Sequence, residues 1–255
     1  MHWRSCLTLL CLLVTVHSGS AEPQPDKLRL FLLIGQSNMA GRARLGPEDV
    51  TTNPRIFMLR KDLTWALAKE PMHFDNYRAG VGPGSEFARA VLKANPKAKI
   101  GLIPCAVGGS TLASWKPGGP HYAEAVARTK VAMRSGKLAC ILWHQGEADC
   151  APGQVAAYPA EFAAMIAQLR KDLETPDVPV IVGEIGHFSE EAKAFNRIIP
   201  KTAAGVPRCD FVTAEDLQHR AEDNVHFDTP SMHLYGARYA DSYLKMDPPP
   251  EGKRQ

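Results

Sequence analysis

Short, nearly continuous apolar runs alternate along the chain with longer segments in which apolar positions recur at helical spacing. Such runs are typical of strands buried on both faces of a parallel sheet, and the longer segments predict amphipathic helices. The predicted strands lie at 28–34, 55–60, 64–67, 99–107, 138–143, 178–186 and 211–214. The predicted helices lie at 85–94, 122–133, 154–173, 190–199 and 229–244. This alternation implies an α/β fold, with a parallel sheet covered by helices on both faces.

The first residues have the order of a secretory signal peptide. His2 and Arg4 precede a mostly apolar run at 7–16, and small residues then lead to Ala21. This run is too short to span a hydrocarbon core of about 30 Å comfortably, which disfavours a membrane anchor. We predict a signal peptide at 1–21, cut near Ala21, and a secreted or periplasmic protein with no further membrane contact.

The rest of the chain is predicted to form one domain at 22–246, followed by a disordered tail at 247–255. Of the 255 residues, 45% are hydrophobic, and the formal charge of +3 is spread without blocks of Lys or Arg. This distribution excludes the clustered basic face that a nucleic acid requires.

Four cysteines follow the predicted leader: Cys105, Cys140, Cys150 and Cys209. Their spacings match no zinc pattern, so no metal site is predicted. An even number of cysteines in an exported chain permits disulfides, and the pattern leaves their pairing open.

Small and polar residues follow several of the predicted strands directly. Because ligands bind beyond the carboxyl ends of strands in such sheets, these loops are the candidate sites. The loops are at 35–38, 108–111, 144–147 and 186–187.

Ser37 comes three residues after the first apolar run, beside Gly35, and is the candidate nucleophile. Its surroundings lack the Lys of a phosphate loop, the further glycines of a dinucleotide fingerprint and the second glycine of an α/β-hydrolase elbow. Asp223 and His226 form an Asp-x-x-His pair that could supply the general base and its orienting carboxylate. A solvated loop histidine is the alternative interpretation, and four other histidines compete for the role: His144, His187, His219 and His233.

An acyl-transfer site also needs donors for the oxyanion. Candidate donors are the backbone amides of Ser37 and Gly109 and the side-chain amide of Gln145. The alternative interpretations are a plain turn at Gly109 and a helix cap at Gln145.

Several motifs resemble one known family. The segment FLLIGQSNMAGR at 31–42 resembles the first block of the sialate O-acetylesterase-like proteins, which belong with carbohydrate esterase family 6 in the SGNH (GDSL-like) hydrolase superfamily. Five further segments match in order: GPGSEFAR at 82–89, VGGSTLASW at 107–115, WHQGEAD at 143–149, DNVHF at 223–227 and LYGARYA at 234–240.

The resemblance implies a three-layer α/β/α sandwich with a mainly parallel five-stranded sheet of order 2-1-3-4-5, similar to flavodoxin. It also implies a serine esterase that hydrolyses O-acetyl esters on carbohydrates, of acetylxylan or sialate type, without a metal or cofactor.

The same resemblance assigns roles by position. Ser37 becomes the nucleophile, His226 the base and Asp223 its orienter. Gly109 and Gln145 become oxyanion donors, although Gln-Gly-Glu replaces the superfamily's usual Asn-Asp. Supporting residues hold the Ser37 loop: Glu147 acts through Gln36 or Asn38, and Arg42 acts likewise or forms a surface salt bridge.

Two other functions fit parts of this pattern. One is a general short-chain esterase, lipase or thioesterase of the same fold, and the other is a catalytically inactive carbohydrate-binding protein. Trp65, Tyr77 and Trp115 are candidates for stacking on a sugar ring. The sequence determines neither the acetylated sugar nor the oligomeric state.

Overall fold

The computed structural model describes residues 25–248, and seven strands among them form one sheet. The strands are β1 (Leu28–Gly35), β2 (Ile56–Leu59), β3 (Trp65–Leu67), β4 (Ile100–Pro104), β5 (Gly136–His144), β6 (Val180–Gly183) and β7 (Cys209–Val212). Their order is β3-β2-β4-β1-β5-β6-β7. Every neighbouring pair is parallel except β2 and β3. The predicted signal peptide at 1–21 and residues 249–255 of the predicted tail lie outside the described residues.

The predicted α/β class is confirmed, and all seven apolar segments predicted as strands form strands of the sheet, so the five-stranded sheet that the resemblance implied lacks two of them. The order β4-β1-β5-β6-β7 reproduces the expected 2-1-3-4-5 arrangement, and β2 and β3 extend the sheet beyond β4. The apolar segment of β2 pairs in parallel with β4, which leaves its other edge open. β3 covers that edge as an antiparallel partner, which needs only a short connection, and Arg60 N bonds Thr64 O across it at 2.9 Å.

Seven α-helices of the described residues surround the sheet. They are α1 (Ser37–Ala40), α2 (Gly84–Ala94), α3 (Pro120–Ala132), α4 (Pro152–Asp172), α5 (Glu190–Asn196), α6 (Ile199–Ala204) and α7 (Thr229–Met246). The prediction of a single helix at 190–199 is wrong, because the helical conformation is interrupted between α5 and α6. Pro200 explains the break, since its nitrogen has no hydrogen to donate to the Asn196 carbonyl and its ring clashes with that oxygen, whereas a proline is tolerated in the first turn of α6.

Alternating side chains of β1 divide the core into two layers. Leu30, Leu32 and Ile34 face α3, α4 and α6 in one buried cluster, which includes Trp143 and Phe162. Phe31 and Leu33 belong to a second cluster, formed with α2 and α7 on the opposite face. Because both faces of β1 are covered, the strand reads in sequence as a continuous apolar run.

The carboxyl ends of β1 and β5 lie side by side, with Gly35 opposite His144. Gly35 has φ 127°, and a Cβ atom there would lie 2.0 Å from the His144 carbonyl oxygen. Only glycine permits this close approach, which brings the loops after the two strands together. Within 25–248, no helix is long and apolar enough to cross a membrane.

Candidate active site

Ser37 is the first residue of α1, immediately beyond β1, and its side chain meets the far end of the sequence. Its Oγ lies 3.0 Å from Nε2 of His226, 189 residues later. The turn is closed by Gly41, whose N–H donates to the Ser37 carbonyl at 2.9 Å. Gly41 has φ 89°, and a Cβ atom there would lie 2.3 Å from the Gly80 oxygen, so the turn requires glycine.

The Asp223 carboxylate orients both the imidazole and the loop that carries it. Oδ2 lies 3.0 Å from Nδ1 of His226, while Oδ1 accepts the backbone N–H groups of Val225 at 2.9 Å and His226 at 2.8 Å. An imidazole with its hydrogen on Nδ1 satisfies the carboxylate and leaves Nε2 as the acceptor for the Ser37 hydroxyl. The three side chains therefore form a continuous hydrogen-bonded chain.

Arg220 is a partner of this carboxylate that the sequence pattern did not reveal. Its Nε donates to Asp223 Oδ2 at 2.7 Å, and its Nη1 donates to the Arg42 carbonyl at 3.0 Å. Burial raises the pKa of Asp223, but hydrogen bonds from His226, from two backbone amides and from Arg220 outweigh it and hold the pKa well below its usual range. An arginine three residues before the aspartate is the one sequence signal for this contact.

Asn38 ties the Ser37 turn to the residues on either side of His226. Its Nδ2 donates to the Val225 carbonyl at 3.1 Å, and its Oδ1 accepts the Phe227 N–H at 3.3 Å. The same Nδ2 donates to Glu147 Oε1 at 2.6 Å. Burial raises the pKa of Glu147, but His144, the residue's own backbone and Asn38 outweigh burial, so the pKa lies below its ordinary value. Glu147 thus contacts the Ser37 loop through Asn38.

Gln36 makes a different set of contacts from Asn38. Its Oε1 lies 3.4 Å from the backbone amides of both Gly146 and Ala148, and 3.2 Å from the Gln145 side-chain nitrogen. Gln36 therefore holds the loop after β5 by accepting hydrogen bonds from backbone amides of that loop, and not through the Glu147 carboxylate.

Gly109 and Gln145 face different environments. Gly109 is exposed with φ 72°, and a Cβ atom there would meet nothing within 4 Å, so its backbone borders open space. Gln145 has no exposed surface, and its Nε2 already donates to Ser110 O, Gln36 Oε1 and Asp149 Oδ2. This geometry does not favour the predicted donation from Gln145 to an oxyanion, because its amide hydrogens already have acceptors in the interior.

Arg42 and Asp75 form a buried ion pair that joins two of the site's loops. Their side chains are 5% and 2% exposed. Arg42 also donates to the Gly41 carbonyl at 2.7 Å, and Asp75 accepts the Gly108 N–H at 2.9 Å. The pair therefore connects the Ser37 turn with the loop that carries Gly109. Arg42 does not form a surface salt bridge, and Asp75 went unnoticed in the sequence because no motif contains it.

Comparison with known proteins gives the family. The profile of the carbohydrate esterases described as sialic acid-specific acetylesterases matches residues 27–245. The chain belongs to this family. A protein of Arabidopsis thaliana named as a probable carbohydrate esterase is 31% identical over 268 residues, which cover 90% of this chain and 98% of that protein.

Solved structures resemble this esterase over most of its length. The structure of an Arabidopsis thaliana protein superimposes with a TM-score of 0.79 at 30% identity, over 86% of this chain and 99% of that one. A carbohydrate acetylesterase from Xanthomonas citri gives 0.65 at 20% identity, over 86% of this chain and 56% of that one. An acetyl-xylooligosaccharide esterase mutant from Geobacillus stearothermophilus gives 0.54 at 13% identity, over 91% and 100%. The last two show the shared fold alone.

The four histidines that compete with His226 in the sequence have partners away from Ser37. His144 contacts Glu147 at 3.2 Å, His187 contacts Glu184 at 2.9 Å, and His233 contacts Asp49 at 2.7 Å. His219 Nδ1 lies 2.9 Å from the Arg220 carbonyl. Among the histidines that the structure describes, His226 is the one whose ring nitrogen contacts the Ser37 hydroxyl.

Two of the three aromatic candidates for sugar stacking are buried. Trp65 and Trp115 are 3% and 1% exposed and donate to Ser135 and Ser110, so both belong to the core of the esterase. Tyr77 is 89% exposed and has Arg78 over its ring. The described residues hold four free cysteines and no group of three or more side chains suited to a metal ion.

Proposed function

We propose that the chain is an exported serine esterase that removes O-acetyl groups from carbohydrates, with Ser37 as nucleophile, His226 as general base and Asp223 as its orienting carboxylate. The single observation that carries this proposal is the run of two 3.0 Å contacts from Ser37 Oγ through the imidazole to Asp223 Oδ2. Family membership supplies the reaction class, a carbohydrate ester hydrolase. Export follows from the leader pattern at 1–21.

The proposed reaction has two steps that use the same groups. His226 Nε2 takes the Ser37 proton as Oγ attacks the acetyl carbonyl, and the tetrahedral intermediate collapses when the sugar oxygen leaves with that proton. Water then attacks the acetyl-enzyme by the reverse route, releasing acetate and restoring the Ser37 hydroxyl. Asp223 stays ionised throughout and stabilises the imidazolium that forms in each step.

The backbone amides of Ser37 and Gly109 are the proposed oxyanion donors. The open space beside Gly109 leaves room for an acyl group, and the Asp75–Gly108 bond restrains the peptide next to it. Preorganised donors of this kind stabilise the charge that develops on the carbonyl oxygen, at roughly 10²–10³ in rate for each donor. Four side chains hold these loops in position by hydrogen bonds: Gln36, Asn38, Gln145 and Glu147.

Acetate release from a panel of acetylated glycans, neutral and acidic, tests the proposal directly. The purified protein should release acetate, and Ser37→Ala should lower the rate by several powers of ten while leaving the unfolding curve unchanged. A fluorophosphonate probe should label the wild-type chain at Ser37. Undiminished acetate release by Ser37→Ala, or labelling at a different residue, would contradict the assignment.

A further inference from the structure

A groove lies directly beside the proposed triad, on the side of the loops after β5 and β6. Its cavity holds about 270 Å³ and is lined by the loops after β5 and β6, the start of α5 and the loop that carries His226, with Glu147, Ile185, Phe188, Glu191, Asn224 and Val225 among the lining residues. Val225 precedes His226 in the chain, and Glu147 bonds the side chain of Asn38, the neighbour of Ser37. The groove therefore shares its inner wall with the catalytic loops.

The position of the groove relative to the base indicates what it would hold. In the proposed reaction the leaving sugar oxygen receives its proton from His226, so the sugar must lie next to the His226 loop. Asn224 and Val225 of that loop line the groove, and Val225 is 41% exposed. The groove offers the apolar surfaces of Ile185 and Phe188 together with polar groups that can bind hydroxyls.

The charged residues that line the groove indicate which class of sugar it can bind. Two carboxylates, Glu147 and Glu191, line the groove, and no Lys, Arg or His of the described residues does so. The nearest histidine in the loop, His187, is paired with Glu184 at 2.9 Å. Arg42, Arg44 and Arg220 line a different cavity, where each is paired with a carboxylate, of Asp75, Glu222 and Asp223 respectively. A sugar carboxylate in this groove would meet like charge without a compensating cation.

The Glu147 carboxylate adds negative charge to the inner wall of the groove. Oε1 is bonded by Asn38 and faces His144, whereas Oε2 is buried and has no hydrogen-bond partner within the described residues. A second carboxylate brought close to this wall would be repelled by that charge, whereas a neutral sugar would not.

From this groove we infer the substrate class: the site accepts O-acetylated neutral sugars and discriminates against acidic sugars such as sialic acid. This inference rests on the proposed function. It departs from the family's description, which names sialic acid. Glu191 is the residue best suited to test it, because its exposed side chain lines the groove outside the hydrogen-bonded catalytic loops.

The experiment compares kcat/KM for an acetylated neutral pyranoside and an acetylated sialic acid, with p-nitrophenyl acetate as an uncharged reference. The wild-type enzyme should prefer the neutral sugar. Glu191→Lys should reduce that preference by roughly three- to tenfold, as expected for reversing one exposed charge near a charged ligand. The reduction should shrink in about 1 M salt, because exposed charges are then screened.

Glu190→Lys is the matched control. Glu190 is the adjacent residue of α5, pairs with Lys193 and does not line the groove, so this variant changes the net charge equally and should leave the preference unaltered. A wild-type preference for the sialic acid, or equal effects of the two variants, would overturn the inference. Faster hydrolysis of p-nitrophenyl octanoate than of the acetate would overturn it too, by assigning the groove to an acyl chain.

The outcomes separate this inference from the proposed function. If the wild-type protein hydrolyses p-nitrophenyl acetate through Ser37 but favours the acidic sugar, the serine esterase remains and the neutral-sugar assignment fails. If it hydrolyses no acetate ester at all, the proposed function fails and the inference fails with it. Inhibition of the wild-type enzyme by the deacetylated neutral sugar, and not by free sialic acid, would support the assignment independently.

Discussion

The carboxylate of Asp75 accepts a hydrogen bond from the backbone amide of Gly108 at 2.9 Å, although the two residues are 33 positions apart. Because the same carboxylate is ion-paired with Arg42, one buried group restrains both the Ser37 turn and the peptide that precedes Gly109. The pair fixes the relative position of the two loops together with the bonds that Val107 N and Ser110 Oγ donate to the Gly35 carbonyl, at 3.0 and 3.2 Å.

Replacing Asp75 by Ala should therefore destabilise the fold and slow the reaction. The change leaves the buried Arg42 guanidinium unpaired, which is expected to cost about 3–5 kcal/mol in the free energy of unfolding. It should also lower kcat at temperatures where the variant is folded, because the Gly108 amide loses its acceptor. Urea unfolding and steady-state kinetics with p-nitrophenyl acetate measure the two effects. The matched control is Asp26→Ala, which removes an exposed partner of Lys99 and should change neither quantity appreciably.

Asn38→Ala should lower kcat by about 10- to 100-fold, because small displacements of a general base are that costly. The reason is that Asn38 bonds the residues on both sides of His226 and is itself held by Glu147. KM for p-nitrophenyl acetate should change little, since the proposed role of Asn38 is to position other groups. Asn53→Ala, away from the triad, serves as the control. A normal kcat in a folded Asn38→Ala variant would show that the His226 loop keeps its position without this side chain.

Gln145→Leu should act mainly on stability. Its amide bonds Ser110, Gln36 and Asp149 inside the protein, so its loss leaves buried acceptors unsatisfied at about 1–3 kcal/mol. Loss of an oxyanion donor would instead lower kcat by about 10²–10³ without destabilising the fold. Gly109→Ala provides the comparison: its Cβ would meet no atom within 4 Å, but the positive φ of 72° strains an alanine by about 1–2 kcal/mol, so this variant should lose kcat in addition to that stability. Loss of kcat at full stability in Gln145→Leu would restore the role first predicted for it.

Glu70 should make the protein less stable as the pH rises. Burial raises its pKa from 4.5 to about 7, although hydrogen bonds from Ser85 and the Met72 amide oppose the shift. Because the folded state then holds a proton that the unfolded chain has lost, stability should fall as pH increases from about 4.5 to about 7.

Glu70→Gln should remove this dependence and become more stable than the wild type above neutral pH. Unfolding in urea across pH 4 to 9 checks the slope, and Glu48→Gln on the exposed segment nearby is the control. An identical pH dependence in wild type and Glu70→Gln would show that Glu70 ionises normally in the folded protein.

The sequence alone determined the class of fold and the region where the candidate site lies. Apolar runs such as that of β1 identify buried parallel strands because each strand must bury both faces. The carboxyl ends of such strands meet at one edge, which is why Ser37, Gly109 and Gln145 could be placed at a common site without knowledge of their contacts. The Asp-x-x-His spacing likewise indicated a pair that one turn can bring together.

Only the tertiary structure decided which way each side chain points. Gln145 and Gly109 both follow strands, yet one amide is used inside the protein and the other backbone borders open space. Trp115 is buried and Tyr77 is exposed, although their sequence neighbourhoods do not distinguish them. The pairs Arg42–Asp75 and Asn38–Glu147 join residues 33 and 109 positions apart. Periodicity reports the local direction of the chain, whereas these contacts depend on how loops from distant strands pack against one another.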